Sequence, residues 1–298
     1  MKTIYLSGKM TGLPNLGFDI FDKNRDFLID AGWKVISPAD IDREEGIDVT
    51  NHTPTEDEYL TIIKRDYAAL LQSDAIAFMP NWTDSRGAKL ESDFANVLKL
   101  DRYRVDADKS YLEKELIIGF CGYSTSGKDT IAKEFVEHLG FERVGFADSL
   151  KSILYSLNPR IEMFNNDFIG HWSLQSIVDQ KGWDEAKKEP EIRQLLQRLG
   201  TEGGRQALGN DVWVKALFAQ PHGARIVIPD LRFENEAAAI RARGGVVVRI
   251  HREGIGPVND HASDKIDFTA DIEVDNNSTP ENAYLTIFSN LPKFGIEL

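Results

Sequence analysis

The chain has 298 residues, enough for two hydrophobic cores, and its 42% hydrophobic and 28% charged residues describe an ordinary globular protein with no apolar run long enough to span a bilayer. A formal net charge of −13 argues against a nucleic-acid partner, which calls for a basic surface, but leaves room for a local pocket that grips a nucleotide. The single cysteine, Cys121, excludes an internal disulfide; with no signal peptide at the start, it points to the cytoplasm and to a small buried side chain rather than a redox centre.

Residues 3–7, Thr-Ile-Tyr-Leu-Ser, read as a buried strand. Phe18, Phe21 and Leu28 share one helical face, Gly32 ends that helix, and residues 33–37 form the next strand. Tyr59, Ile63, Tyr67 and Leu70 predict a second helix, residues 75–79 a third strand, and Leu90, Phe94 and Val97 a further helix. Residues 103–105 fit a last short strand. Strands alternating with helices imply parallel sheets and an α/β fold. Residues 101–115 are charged and lack apolar periodicity, so an interdomain linker is expected there, at 107–114, between domains spanning 1–106 and 115–298.

A second series begins with the apolar run 116–120 and a helix-like stretch at 130–139. Residues 225–229 and 245–250 are later strands, and between them an alanine-rich helix at 234–243 stops at Gly244-Gly245. Residues 158–190 are polar and irregular, and a mobile insert is expected there.

The loop between the run 116–120 and its helix carries the most specific signal. It reads Gly122-Tyr-Ser124-Thr-Ser126-Gly127-Lys128-Asp129-Thr130, the phosphate-loop pattern with a strand before it and a helix after it. Glycines let successive backbone N–H groups turn toward a phosphate, and the helix N-terminus and Lys128 add positive charge. ATP is the expected ligand, contacted by Gly122, Ser124, Ser126, Gly127, Lys128, Asp129 and Thr130. Asp129 fills the slot after the lysine that usually holds Ser or Thr. This moves the expected hydroxyl contact, and a Mg²⁺ ligand, to Thr130, with Asp230 at the end of a later strand as the second metal candidate.

Four further segments narrow the class: Phe146-Ala-Asp148-Ser-Leu-Lys151, Leu199-Gly-Thr-Glu-Gly-Gly-Arg205, Pro229-Asp230-Leu-Arg232-Phe-Glu-Asn-Glu236 and Asp260-His261-Ala-Ser-Asp264. Together with the phosphate loop, residues 115–298 resemble the phage-type deoxynucleoside monophosphate kinases. Asp264 stands where that family usually has Glu. The resemblance implies a P-loop kinase fold that phosphorylates a deoxynucleoside monophosphate with ATP and Mg²⁺, and a phage or prophage source. Phosphoryl transfer needs positive groups around the moving phosphate. Lys128, Asp230 and Arg232 are therefore the catalytic candidates. Asp148, Lys151, Arg205 and Arg232 are candidates for the acceptor monophosphate, because guanidinium matches phosphate in a bidentate fork. Arg249 and Arg252 are candidates for a closing lid, and His261 for a turn.

The first hundred residues carry Tyr5, Ser7-Gly8-Lys9, Arg65-Asp66 and Ser85-Arg-Gly87-Ala-Lys-Leu-Glu91. This order is similar to the nucleoside 2-deoxyribosyltransferase superfamily, which includes deoxynucleotide N-glycosidases on flavodoxin-like sheets. Lys9-Met10 departs from the pair that usually follows the first strand there. The resemblance implies Glu91 as nucleophile and Asp66 as its partner, with Tyr5 against the sugar or the nucleophile and Ser7, Gly8, Lys9, Ser85 and Gly87 around the 5′-phosphate or ribose. A carboxylate stabilises the oxocarbenium-like state of glycosidic cleavage, and free N–H groups of a first helical turn are expected to hold Glu91. The expected whole is a two-domain cytoplasmic enzyme, a candidate homodimer, whose first half cleaves or transfers the base of a deoxynucleotide, with no membrane or nucleic-acid partner. The alternatives are a non-catalytic nucleotide-binding N-terminal module and a kinase acting on a modified base in DNA.

Overall fold

The computed structural model describes residues 1–46, 54–80, 82–165, 168–256 and 266–296. The first half contains β1 (Thr3–Ser7), α1 (Phe18–Asp30), β2 (Lys34–Ile36), α2 (Pro38–Glu44), α3 (Glu56–Leu70), β3 (Ala75–Phe78), α4 (Arg86–Leu98), β4 (Asp101–Asp106) and β5 (Tyr111–Lys114). They build a sheet of order β2-β1-β3-β4-β5, parallel except for β5. This is the flavodoxin-like order, with its ligand crevice expected at the C-terminal ends of β1 and β3. Alternate residues of each strand feed opposite layers. Ile4 and Leu6 pack on Phe18, Phe21 and Leu28, while Tyr5, Ile76 and Phe78 pack on Leu70, Ala88 and Ala95.

Helix starts follow local chemistry. Thr55 and Glu58 form a capping box on α3, and Ser85 Oγ accepts the Ala88 N–H at 3.2 Å to start α4. The buried stripe of α4 is Ala88, Glu91, Ser92 and Ala95. Val97, read as part of the apolar face, lies off that stripe and is exposed.

The expected linker is corrected by the structure. Residues 111–114 are strand β5, paired with β4 from Tyr103–Lys114 to Asp106–Tyr111. The apolar period is weak because this edge hairpin buries Arg102 and Val105 together with ion pairs, rather than a row of aliphatic side chains. The Glu115 N–H then donates to Arg102 O and the Leu116 N–H to Ala224 O, both at 2.8 Å. The chain thus passes from one sheet to the next without a free tether.

The second half contains β6 (Leu116–Cys121), α5 (Lys128–Leu139), β7 (Glu142–Arg143), α6 (Phe146–Leu157), β8 (Arg160–Asn165), β9 (Phe168–Ser173), α7 (Leu174–Ala186), α8 (Pro190–Arg198), a π-helical run (Leu199–Gln206), α9 (Val212–Ala219), β10 (Arg225–Ile228), α10 (Glu234–Ala242), β11 (Val246–His251), β12 (Ile272–Asp275) and α11 (Pro280–Asn290). A parallel sheet of order β12-β11-β6-β10-β7 has the wholly buried β6 at its centre. Leu116, Ile118 and Phe120 face Ile131, Phe135 and Ile287; Ile117 and the buried Cys121 share the other layer with Phe146, Leu217 and Ile240.

The described residues of the stretch 158–190 form secondary structure over most of their length, contrary to expectation. The antiparallel β8–β9 hairpin and α7 enclose a small core of Leu154, Ile161, Leu174, Ile177, Ala186 and Ile192. Its period is hidden because these positions come from several short elements and because Gly182, at φ +74°, kinks α7. No helix among the described residues is long and apolar enough to cross a membrane.

Candidate active sites

The phosphate loop leaves the C-terminal end of the central strand β6, and Gly127 at φ +95° opens α5. A Cβ on Gly127 would lie 2.2 Å from Asn276 Nδ2, and that nitrogen donates to Ser126 O at 2.8 Å. Asn276, buried just beyond β12, therefore fastens the loop from the far edge of the sheet. Nothing in its local sequence marks it, because the two segments meet only in the folded sheet. Lys128 is 7% exposed and its Nζ donates to Tyr123 O at 3.3 Å. Burial lowers its pKa from the ordinary lysine value, with Asp129 opposing.

A cleft of about 500 Å³ opens in front of the loop. Ser124, Lys128 and Asp129 are part of its lining, as are Asp230, Arg232 and Arg205. Asp230 accepts the Phe146 and Ala147 N–H groups, both at 3.0 Å, and so tethers the start of α6 to the end of β10. The Arg205 guanidinium donates to Glu236 Oε1 at 2.6 Å and to Asn210 O at 3.1 Å, with its centre 3.9 Å from the Phe233 ring centroid. Glu236 Oε2 accepts the backbone N–H of Arg232 at 2.8 Å and of Phe233 at 3.1 Å. One buried carboxylate therefore orders both arginine-bearing segments, and burial raises its pKa from the ordinary value.

The glycine-rich run before Arg205 has a packing reason. A Cβ on Gly204 would sit 2.5 Å from the Trp213 indole, whose Nε1 donates to Gly200 O at 2.8 Å. The run is π-helical, a geometry often found where a side chain is re-aimed at a functional cleft.

Several expected residues stand elsewhere. Thr130 is exposed and outside the cleft lining, whereas Asp129 is part of it, because the helix turns the third residue away from the loop. Asp148 is also outside the lining, occupied by Arg143 at 2.5 Å and Lys151 at 3.7 Å; Lys151 itself lines the cleft. Arg249 is not on a lid: it lies in β11, bound to Phe268 O and 5.7 Å from the Phe268 ring centroid. Arg252 follows the same strand and is exposed. His261 and Asp264 lie outside the described residues. Arg143, Lys187 and Arg193 line the cleft and were not anticipated: Arg143 comes from a two-residue strand, Lys187 from the stretch read as irregular, and Arg193 from α8 just beyond it.

The donor set suits a magnesium ion held mainly by nucleotide phosphates. Asp129 and Asp230 face the cleft, and such ions commonly take one or two carboxylates and fill the remaining sites with phosphate and water. Among the described residues no cluster of three metal-ligating side chains exists, so an all-protein cage is absent.

In the first half, β1 and α4 bring Glu91 to the crevice end of the sheet. Tyr5 Oη donates to Glu91 Oε1 at 3.0 Å and Ser7 Oγ to Oε2 at 2.5 Å. These side chains, rather than free N–H groups of the first turn, hold the carboxylate, because Glu91 is the sixth residue of α4 and beyond the unpaired amides. Burial, then the Asp66 charge, pushes Glu91 up to about 7 against the two hydrogen bonds. Asp66, also buried, is raised to about 6 by burial despite Arg65 Nη2 at 3.1 Å. Arg65 also contacts Asp42 at 2.8 Å and Glu45 at 2.9 Å.

Gly8 follows β1 and packs on Met79, whose Cε would be 2.2 Å from an added Cβ. Ser85 is spent on the α4 cap. The buried Tyr59 hydroxyl has no hydrogen-bond partner among the described residues and lies 3.9 Å from where a Cβ on Gly87 would stand. That orphan phenol is a site feature that helical periodicity concealed, since Tyr59 also fits the apolar spacing of α3.

Comparison with known proteins identifies the class. A protein of Acanthamoeba polyphaga mimivirus, "Putative deoxynucleotide monophosphate kinase", is 31% identical over 198 residues, covering 58% of this chain and 95% of that protein. The chain belongs to the deoxynucleotide monophosphate kinase family. The family model "Domain of unknown function (DUF4406)" matches residues 2–102. The crystal structure of shikimate kinase from Aquifex aeolicus aligns with 60% of this chain and 98% of its own, at 18% identity and a TM-score of 0.34.

Proposed function

We propose that the C-terminal cleft transfers the γ-phosphoryl group of ATP to a deoxynucleoside monophosphate. The observation that carries this is the array across from Lys128, in which Glu236 sets Arg205 against Phe233 and fixes the Arg232 backbone. Lys128 neutralises charge on the moving phosphate, as preorganised cations do in phosphoryl transfer. Arg205 and Arg232 hold the acceptor phosphate, and Arg143 and Lys151 add positive charge on the acceptor side. Phe233 and Trp213 offer flat apolar surface for the base. Asp129 and Asp230 would hold a Mg²⁺ ion bound with ATP, which would supply charge neutralisation at the triphosphate. Asp230 also keeps the start of α6 against the cleft.

We further propose that the N-terminal crevice cleaves the N-glycosidic bond of a deoxynucleotide. The buried, doubly held Glu91 carboxylate favours this over a purely regulatory pocket. Glu91 oxygen bonds to C1′ as the C1′–N bond breaks, the electron pair leaves with the base, and Asp66 supplies the base's proton. Water then opens the ester. The Tyr59 hydroxyl provides a polar contact for the sugar or its phosphate. A panel of deoxynucleoside monophosphates incubated with ATP, analysed for both diphosphate and free base, tests both activities. Diphosphate absent with every acceptor would refute the first, and free base absent with every nucleotide the second.

A further inference from the structure

A second cavity, of about 220 Å³, lies between the two sheets and belongs to neither site. Its floor is a charge cluster with too few carboxylates. Glu115 is shared by Arg102 Nε at 2.6 Å and Arg104 Nε at 2.7 Å, all three side chains being largely buried. Arg102 is otherwise satisfied, donating to Ser92 and Asn96. Arg243 has no carboxylate within ion-pair distance among the described residues. Its guanidinium lies 3.8 Å from the Phe218 ring centroid and, among the described residues, donates only to Ala239 O, one turn back in the helix it caps, at 3.1 Å. Three guanidiniums thus meet one buried carboxylate. Lys89 and Lys215 stand at the mouth, with Asp93 as the opposing acid. A further group awaits an acceptor: Trp82 is 7% exposed, lines the cavity, and its buried indole N–H has no hydrogen-bond partner among the described residues.

We propose that this interdomain cavity binds a small phosphate-bearing anion, gripped by Arg104 and Arg243 with the Trp82 N–H and His222 beside it. Planar guanidiniums and an indole donor match the tetrahedral oxyanion of a phosphate, which accepts from several directions at once. Ile117, Val214 and Phe218 give the rest of the wall an apolar character suited to a small organic body on that phosphate. Arg243 is half-buried, and holding a guanidinium out of water without a counter-charge is costly, a cost that an anion would remove. Burial, with Arg102 beside it, already pushes Arg243 down to about 10. Trp82 and Arg104 belong to the first sheet's half, and Phe218, His222 and Arg243 to the second. An occupant therefore ties the two halves together.

Tungstate, a phosphate mimic with strong anomalous scattering, locates the site directly. Crystals of the full chain soaked in it should show a peak between Arg104 and Arg243, absent in Arg243→Met. A peak only at the phosphate loop would overturn the proposal. In solution, the melting temperature in phosphate-free buffer and in inorganic phosphate is compared for wild type, Arg243→Met and Arg243→Lys. Phosphate-loop binding is common to all three and cancels in the comparison. Arg243→Met should melt higher than wild type without phosphate, having shed an uncompensated charge, and should lose part of the phosphate-induced rise. Arg243→Lys should keep most of it. A phosphate-induced rise equal in Arg243→Met and wild type would overturn the proposal even if both fold well.

Discussion

Glu91 should make the protein less stable as the pH rises, and Glu91→Gln should reverse this. Its ordinary value is 4.5 and the fold holds it at about 7, mainly through burial and then through the Asp66 charge. Between those values the folded state binds a proton that the unfolded chain has released. Stability therefore falls as pH rises from about 4.5 to about 7, and the cost is complete above that. A shift of this size corresponds to about 3 kcal/mol. Glutamine keeps an acceptor for Tyr5 and places an amide against Ser7, whose oxygen accepts, but it carries no charge to bury. The stability of Glu91→Gln relative to wild type should thus climb from near zero at pH 4.5 to about 3 kcal/mol at pH 8. Urea unfolding of both proteins at several pH values measures this, and the second sheet, identical in both, cancels. A difference independent of pH would refute the reasoning, because it would mean that Glu91 titrates like an exposed glutamate. The same ionisation, with Asp66 at about 6 and needed as the proton donor, predicts base release that rises as Glu91 ionises and falls as Asp66 loses its proton, with its maximum between about 6 and about 7.

Three further outcomes follow from the geometry. Lys128→Ala should lower the kinase kcat by about a hundredfold to a thousandfold, the typical loss when one preorganised charge-stabilising contact is removed, with base release unchanged in the same preparation. Arg205→Lys should raise the KM for the monophosphate more than that for ATP, because an ammonium cannot reproduce the fork that Glu236 and Phe233 hold in place; steady-state kinetics with each substrate varied decides it. Glu115→Gln should destabilise the protein by about 3–5 kcal/mol, read as a fall in melting temperature, because it leaves two buried guanidiniums without their shared carboxylate.

The phosphate loop, the alternating strands and helices, and the parallel α/β class were legible in the sequence because each depends on local rules. Such rules are the period of apolar residues, a capping serine or threonine, and a glycine that admits positive φ. Glu91 and Asp66 were legible as candidates on the same terms, being carboxylates at recognisable helical positions. Tyr5 was expected near the sugar or Glu91 and does reach Glu91, but the second hold on it, from Ser7, was not legible, because Ser7 lies more than eighty residues away and approaches only when β1 stacks beside α4. Asn276 reaches the phosphate loop across 150 residues for the same reason. Residues 107–114 look like a tether because charge hides the strand, and only pairing with β4 reveals the hairpin. The unbalanced cluster of Arg102, Arg104 and Arg243 was equally invisible: each is an unremarkable surface-type residue until the two sheets meet and bury it. Local spacing specifies which elements form, whereas the burial of charge and the meeting of distant side chains arise only from tertiary packing.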